Sequence, residues 1–174
     1  DAPPLLFVHG MWHGAWCWQE HFLPYFAQRG YSCTALSMRG HGSSPGKDRL
    51  RRTRVRDLVE DVASVTAGLP EPPVLIGHSL GGFVVQKYLE SRDAAGAVLL
   101  APVPPTGAAR VAMRTAAHHT GPFIKANAQL RLGPLVATPE LARANFFSPS
   151  LSDDLVLRYH RQLQDDSFLT FVDM

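Results

Sequence analysis

A chain of 174 residues, 45% of them hydrophobic, is long enough for one domain with a substantial core and too apolar to be disordered. Its net charge of +2 predicts neither a nucleic-acid partner nor stable membrane association, and no apolar run approaches the roughly 20 residues of a membrane-spanning helix. We interpret the basic segment 47–56 as a solvated loop that leads into a helix. The alternative is a surface that attracts anionic substrates or lipid headgroups.

Apolar segments of two kinds alternate along the chain as far as residue 100. Short runs typical of buried strands are Leu5 to Val8, Cys33 to Ser37, Val74 to Ile76 and Ala97 to Leu100. Longer segments with helical periodicity are Trp16 to Gln28, Thr53 to Leu69 and Phe83 to Ser91. This alternation predicts an α/β fold in which helices cover both faces of a mostly parallel sheet.

After the fourth predicted strand the pattern changes. Prolines and a glycine in residues 101–107 end the strand, and further glycines and prolines punctuate the chain up to Pro149. This spacing predicts a series of short helices. Apolar side chains in this part that could line a substrate pocket are Phe123, Ile124, Leu130, Leu132, Leu135, Val136, Phe146 and Phe147. The alternative is that they only pack these helices onto the core.

The most informative motif is Gly77-x-Ser79-x-Gly81, between the third predicted strand and the helix that follows it. A serine at such a turn is a nucleophile elbow, because the tight bend lifts the hydroxyl out of the sheet and the glycines let neighbouring chain pass closely. The following helix directs the positive end of its dipole at that oxygen. We therefore predict that Ser79 is a nucleophile and that His78 supports the elbow from beneath.

The first strand runs into another loop with glycines, His9-Gly10-Met11-Trp12-His13-Gly14. Acyl transfer develops negative charge on the substrate oxygen, and two backbone N–H groups commonly stabilise it, each by roughly 3 kcal/mol. One donor is expected at Leu80, directly after the serine. The other is expected at Met11, because Gly10 leaves the peptide free to turn inward. Trp12 is either a pocket wall or a core side chain.

These motifs resemble the α/β-hydrolase superfamily. The first is the loop of residues 9–18, the second is Met38-Arg39-Gly40-His41-Gly42-Ser43-Ser44, and the third is the Gly-His-Ser-Leu-Gly-Gly run. The chain is similar to the small lipase, esterase and lysophospholipase-like branch, which includes plant methyl esterases and hydroxynitrile lyases. The resemblance covers nearly the whole chain. It implies the α/β-hydrolase fold, with Ser79 as nucleophile and the amides of Met11 and Leu80 as the oxyanion hole.

The resemblance also implies a division of the chain. Residues 1–105 would form the hydrolase core, residues 106–165 a helical cap or lid inserted over the nucleophile, and residues 166–174 the return towards the core. A lid of this kind excludes water and shapes the pocket.

The catalytic acid and base are not evident. Hydrolases of this superfamily carry the nucleophile, the acid and the histidine in that chain order. The histidines after the serine follow no recognisable strand and are poor candidates for the base: His118, His119 and His160. We therefore expect a piece of a longer hydrolase, with parts of the sheet missing at both ends and the acid and histidine beyond Met174.

Other residue types that carry chemistry are sparse. No Cys and His spacing indicates a metal site, and no cofactor is expected. The histidines that precede glycines, His9, His13 and His41, are expected to brace their loops through hydrogen bonds. Cys17 and Cys33 are too few for a disulfide framework, and we interpret them as small core residues of a cytoplasmic protein.

The expected function is hydrolysis of a carboxylic ester of a small, apolar molecule through an acyl-enzyme on Ser79. A serine rather than an aspartate at this position argues against the dehalogenase and epoxide-hydrolase branches. Two alternatives stay open. One is a hydroxynitrile-lyase-type enzyme on the same fold, and the other is a non-catalytic protein that binds a ligand in the same pocket.

Overall fold

The computed structural model describes residues 2–174, except for the side chain of Val111. In these residues strands and helices alternate as far as residue 100, and short helices follow. The strands are β1 (Leu5–Val8), β2 (Cys33–Leu36), β3 (Val74–His78) and β4 (Gly96–Leu100). The α-helices are α1 (Trp16–Gln19), α2 (Phe22–Ala27), α3 (Val55–Ala67), α4 (Leu80–Leu89), α5 (Ala109–His118), α6 (Thr120–Gln129), α7 (Pro139–Phe146), α8 (Asp153–His160) and α9 (Phe168–Val172). Two 3₁₀ helices are Lys47–Arg52 and Gly133–Val136.

The strands of the described residues form one parallel sheet, in the order β2-β1-β3-β4. In its register Val8, the last residue of β1, lies between Leu36 of β2 and Gly77 of β3. Loops that follow neighbouring parallel strands emerge at the same edge of the sheet. The loop after β1 therefore lies beside the turn after β3, and the predicted parallel sheet is confirmed.

Helices cover both faces of the sheet, as the alternation predicts. Leu6 and Val8 of β1 belong to a core cluster with residues of α3 and α4, whereas Leu5 and Phe7 pack with Trp18 of α1. Successive side chains of a strand point to opposite faces, so one short strand contributes to both clusters. This double burial explains why β1 is apolar at every position.

The prediction of a single helix from Trp16 to Gln28 is wrong. The structure has two helices, α1 and α2, which are separated at Glu20 and His21. Pro24 gives the reason: in one continuous helix its ring would clash with the carbonyl group of Glu20, four residues earlier. In the observed arrangement Pro24 lies in the first turn of α2, where a missing N–H costs no intrahelical hydrogen bond.

Helix α4 begins at Leu80, three residues before the predicted start at Phe83. The difference arises because Gly81 and Gly82 are poor helix formers and hide the first turn in the sequence. Strand β3 also continues to His78, beyond the predicted end at Ile76. One residue, Ser79, therefore joins the strand to the helix.

Residues 106–165, here called the helical segment, contain α5 to α8 and the second 3₁₀ helix. Three of its four prolines lie at the beginnings of these elements, and Pro149 lies in the turn between α7 and α8. Pro139 opens α7, Pro134 is in the first turn of the 3₁₀ helix, and Pro122 is in the first turn of α6. The fixed φ of proline suits a first helical turn. Throughout residues 2–174, every helix is too short or too polar to cross a bilayer.

Candidate functional site

Ser79 occupies the turn between β3 and α4 in a strained conformation. Its φ of 52° and ψ of −116° lie in a region that non-glycine residues rarely adopt, at a cost of about 1–3 kcal/mol. The surrounding chain holds this conformation. Ser79 N donates to Leu100 O at 3.1 Å, and Ser79 O accepts from Phe83 N at 3.1 Å and from Val103 N at 3.2 Å.

The glycines of the motif allow close approach of α4 to the sheet. A Cβ atom on Gly81 would overlap the carbonyl oxygen of Val8 in β1, and one on Gly77 would lie 2.6 Å from Gly81 O. Both contacts are with backbone, which cannot rotate away as a side chain can. The two glycines are therefore a steric requirement of the turn that presents Ser79.

The loop after β1 passes directly against this turn. A Cβ atom on Gly10 would lie 3.1 Å from Ser79 Cβ and 3.0 Å from His78 Nδ1, so a side chain there would fit only tightly. His78 is only partly buried, and this burial lowers the pKa of its ring. The structure thus brings together three of the residues that the sequence predicts at the site: Gly10, His78 and Ser79.

Two backbone N–H groups beside Ser79 donate to no acceptor within residues 2–174. Leu80 is the first residue of α4, so its N–H has no intrahelical partner. Met11 N likewise makes no hydrogen bond in the described chain, although the Met11 side chain is buried. Unpaired donors in buried surroundings are uncommon, and here they are available to an oxygen atom of a ligand.

A cavity of about 160 Å³ opens beside Ser79. Its walls come from the loop after β1, from the chain after β4, from the helical segment and from the C-terminal residues. Its lining is mostly apolar and comprises Met11, Trp12, Ser79, Ala101, Pro102, Val103, Pro104, Ala108, Ala112, Thr115, Phe123, Ala126, Asn127, Leu132, Leu135, Phe168, Phe171 and Met174. Trp12, for which the sequence left two roles open, is part of this wall.

The predicted pocket lining is correct only in part. Phe123, Leu132 and Leu135 line the cavity, whereas Ile124 and Leu130 are exposed by 62% and 61%. Neither exposed residue can be a pocket wall. The remaining members of the predicted set do not line this cavity. Val136 is buried elsewhere, Phe146 packs against the rings of Trp12 and His13, and Phe147 lines another cavity.

The buried histidines brace the loops around the site. His9 Nδ1 donates to Gly10 O at 2.8 Å, and His9 Nε2 accepts from Met38 N at 3.1 Å. Burial lowers the pKa of His9 to about 3, so the ring is neutral at pH 7. His13 Nδ1 donates to Met11 O at 2.6 Å, and burial lowers the pKa of His13 as well.

His41 forms a buried pair with Asp166. The distance between His41 Nε2 and Asp166 Oδ2 is 3.2 Å, and both side chains are 1% exposed. Burial opposes a charge on the His41 ring, but the hydrogen bond and the charge of Asp166 outweigh it and raise the pKa of His41. Burial likewise opposes a charge on Asp166, and His41 holds the pKa of Asp166 below its usual value. The raised pKa of His41 and the lowered pKa of Asp166 both favour an imidazolium–carboxylate pair.

Asp166 is absent from the residues singled out in the sequence. It stands beside Asp165 in a run without a motif, and no pattern distinguishes the two carboxylates. Besides His41, Asp166 accepts hydrogen bonds from Trp12 N at 2.9 Å and from Ser167 N at 2.7 Å. Only the folded chain brings these donors together.

The histidines that follow Ser79 in the chain do not reach it. His160 Nε2 donates to Val136 O at 3.0 Å, and neither His118 nor His119 lines the Ser79 cavity. Among the hydrogen bonds of residues 2–174, none involves Ser79 Oγ. These positions agree with the sequence, which makes all three histidines poor candidates for the general base.

Comparison with known proteins identifies the family. A model of the alpha/beta hydrolase family matches residues 5–172. This chain belongs to the alpha/beta hydrolase family. The chain is similar to a probable esterase of rice (Oryza sativa), with 36% identity over 108 residues, 59% of this chain and 40% of the rice protein. Mouse protein phosphatase methylesterase 1 is 33% identical over 87 residues, 48% of this chain and 22% of the mouse protein.

Solved structures agree on the fold. An extracellular alpha/beta-hydrolase of a Paenibacillus species superposes with a TM-score of 0.77 and 17% identity, over 98% of this chain and 69% of that one. Tomato methylketone synthase I gives a TM-score of 0.70 and 23% identity, over 99% of this chain and 70% of the other. The predicted α/β-hydrolase fold is confirmed. The chain matches only 40% of the length of the curated rice relative.

Proposed function

We propose that Ser79 attacks the carbonyl carbon of a carboxylic ester and carries the acyl group as a covalent intermediate. The observation that carries this proposal is the strained position of Ser79 on a strand-to-helix turn, at the wall of an apolar cavity. The names of the rice and mouse relatives, an esterase and a methylesterase, support the same class of reaction.

In the proposed reaction Ser79 Oγ bonds to the carbonyl carbon while its proton passes to a general base. The amides of Met11 and Leu80 donate to the oxyanion that forms, and each such donor lowers the barrier by roughly 3 kcal/mol. The oxyanion then collapses and expels the alcohol, which takes up the proton from the base. Water attacks the acyl-enzyme in the same way, releases the carboxylic acid and restores the Ser79 hydroxyl.

The general base and its carboxylate partner are proposed to follow residue 174, in the order that the superfamily uses. The positions of His118, His119 and His160 favour this over a base within the described chain. A serine hydroxyl without such a base is a weak nucleophile at neutral pH. The proposal for activity therefore includes both of these groups.

The cavity favours an apolar group of the substrate. Its volume of about 160 Å³ is below the roughly 300–1,000 Å³ of sites that enclose a drug-sized ligand, so it has room for one small part of a substrate. Its lining contains no charged side chain to pair with an ionic group. A buried unpaired charge would be strongly disfavoured there.

We also propose that the helical segment acts as a cap over this site. Phe123, Leu132 and Leu135 support the proposal, since they come from this segment and line the same cavity as Ser79. A cap in this position would keep water from the ester until the acyl-enzyme has formed.

We also propose a cytoplasmic location, which the two cysteines favour. Cys17 and Cys33 are both unpaired in the described structure. Burial raises the pKa of the Cys17 thiol to about 12, which keeps it protonated and unreactive. Free, unreactive thiols are typical of proteins in a reducing compartment.

The test is the reaction of the full-length protein with a fluorophosphonate, followed by intact-mass and peptide mass spectrometry. We expect one adduct, located on Ser79, and hydrolysis of short-chain nitrophenyl esters. Ser79→Ala should abolish both. Ser91→Ala, at an exposed position after the same helix α4, is the matched control and should behave like the wild type.

Other outcomes would decide against the proposal. Retention of the adduct or of ester hydrolysis in Ser79→Ala would mean that the nucleophile lies elsewhere. Tight binding of an ester without adduct formation or turnover would indicate the non-catalytic binding protein. Cleavage of cyanohydrins without an acyl-enzyme would indicate the hydroxynitrile-lyase type of reaction.

A further inference from the structure

The peptide unit that joins Met11 to Trp12 is held at both ends. Its carbonyl group, Met11 O, accepts from His13 Nδ1 at 2.6 Å. Its N–H group, on Trp12, donates to Asp166 Oδ2 at 2.9 Å. With both polar groups engaged, the plane of this peptide cannot rotate without loss of a hydrogen bond.

Trp12 needs this support because its backbone is strained. Its φ is 64°, in the left-handed region that a bulky side chain rarely adopts. The rest of Trp12 is also held by distant chain: its carbonyl accepts from Gln164 N at 3.1 Å, and its indole Nε1 donates to Leu132 O at 3.2 Å. The conformation therefore depends on residues that follow it by more than a hundred positions.

The same short run of chain also holds the loop of residues 40–42. Gln164 Oε1 accepts from Gly42 N at 2.9 Å, and Gln164 Nε2 donates to Gly40 O at 2.6 Å. Asp166 pairs with His41 in the same loop. Residues 164–166, which lead out of the helical segment, thus link two loops at the carboxyl edge of the sheet.

We propose that Asp166 is a positioning residue: by holding the Trp12 N–H it fixes the Met11–Trp12 peptide and so restrains the adjoining Gly10–Met11 peptide, which carries the Met11 N–H. The other end of that adjoining peptide is held by His9 Nδ1, which donates to Gly10 O at 2.8 Å. The inference rests on the proposed function, in which Met11 N–H donates a hydrogen bond to the oxyanion. Asp166 itself touches no reacting atom. His41 helps to hold Asp166 in place, because its Nε2 contacts Asp166 Oδ2, the same oxygen that accepts from Trp12 N.

The neighbouring Asp165 is a matched control. Asp165 Oδ2 accepts from Arg131 Nε at 2.6 Å, and Asp165 Oδ1 accepts from Gly133 N at 2.6 Å. Asp165 Oδ1 also accepts from Asp166 N at 3.0 Å. Arg131 and Gly133 belong to the helical segment, and no partner of Asp165 belongs to the loop after β1. Removal of either carboxylate perturbs the same stretch of chain, but only Asp166 contacts Trp12.

The experiment compares Asp166→Ala, Asp166→Asn and Asp165→Ala in the full-length protein by steady-state ester hydrolysis, with rates normalised to the number of active sites. Loss of one complete oxyanion donor lowers kcat by about 10²–10³-fold, so a misdirected one should lower it at least tenfold. We expect this fall in kcat for Asp166→Ala, with KM nearly unchanged, because the oxyanion exists only after attack. Asp166→Asn keeps an acceptor oxygen and should restore most of kcat.

The controls separate this inference from the proposed function. Asp165→Ala should keep kcat within about twofold, and Ser79→Ala run in parallel reports on the nucleophile itself. A wild-type kcat in Asp166→Ala, an equal fall in Asp165→Ala, or a rise in KM alone would overturn the positioning role. If Asp166→Ala does not fold, the comparison is made with Asp166→Asn. The acceptor oxygen of this variant should keep most of kcat, so a kcat below one tenth of the wild type would overturn the role.

Discussion

The two loops that meet at the candidate site are held in different ways. The elbow at residues 77–82 is held by its own strand and helix and by the chain at the end of β4, through Leu100 and Val103. The loop at residues 9–14 is held from far away, since 154 positions separate Trp12 from Asp166. The backbone hydrogen bonds of Ser79 thus come from the chain between Phe83 and Val103. In the other loop, besides bonds within the loop itself, Trp12 depends on Gln164 and Asp166, far along the chain.

The largest effect is expected from His41→Leu, which breaks the buried support of the loop at residues 9–14. The change leaves the Asp166 carboxylate buried without its counter-ion and should lower the free energy of unfolding by about 3–5 kcal/mol. Urea unfolding followed by circular dichroism measures it. Lys87→Ala, which removes an exposed ion pair with Glu90, should change stability by less than about 1 kcal/mol.

A double variant sharpens this prediction. His41→Leu combined with Asp166→Leu removes both members of the pair and leaves no unpaired charge in the core. It should therefore be more stable than His41→Leu alone. If the single and double variants unfold at the same urea concentration, Asp166 is not held as a charged group by His41.

A smaller loss is expected from Gly81→Ala, which tests the elbow. The new Cβ atom would overlap the backbone oxygen of Val8, so α4 must shift, and the unfolding free energy should fall by about 1–3 kcal/mol. Gly121→Ala in the first turn of α6 is the control. A Cβ atom there meets open space, and the change should be neutral or stabilise by up to about 1 kcal/mol. Equal stability of the two variants would contradict a tight elbow.

The smallest effect, and one of opposite sign, is expected from Ser79→Gly. Glycine adopts the φ of 52° without strain, so the variant should be about 1 kcal/mol more stable than the wild type while losing ester hydrolysis. Ser79→Ala removes the same hydroxyl but keeps the Cβ atom, and should show no such gain. Differential scanning calorimetry compares them. A Ser79→Gly protein no more stable than Ser79→Ala would mean that the elbow stores no strain.

Sequence predicts the structure of this chain best where the signal is local. The strands, the parallel sheet and the strand–serine–helix order at residues 74–89 follow from hydrophobic periodicity and from the two glycines of the elbow. The break between α1 and α2 was also available in principle, because Pro24 cannot lie in the interior of a continuous helix. It was missed because the apolar periodicity of residues 16–28 continues across the break.

In the helical segment the sequence pattern does not show which apolar side chains line the cavity. Phe123 and Ile124 are neighbours with similar hydrophobicity, yet one lines the cavity and the other is exposed. Short helices have weak periodicity, so the face that each one buries depends on where its neighbours pack. Composition indicates which apolar residues could line the pocket, but not which of them face it.

By itself, the sequence determined the α/β alternation, the glycines that only a tight turn requires and the serine between them, because each depends on backbone geometry within a few residues. Only the tertiary structure decided that Asp166, and not Asp165, accepts from Trp12 and pairs with His41. The two carboxylates have the same chemistry and adjacent positions. They differ only in which donors the folded chain brings within 3.2 Å, and contacts between residues so far apart leave no local pattern in a single sequence.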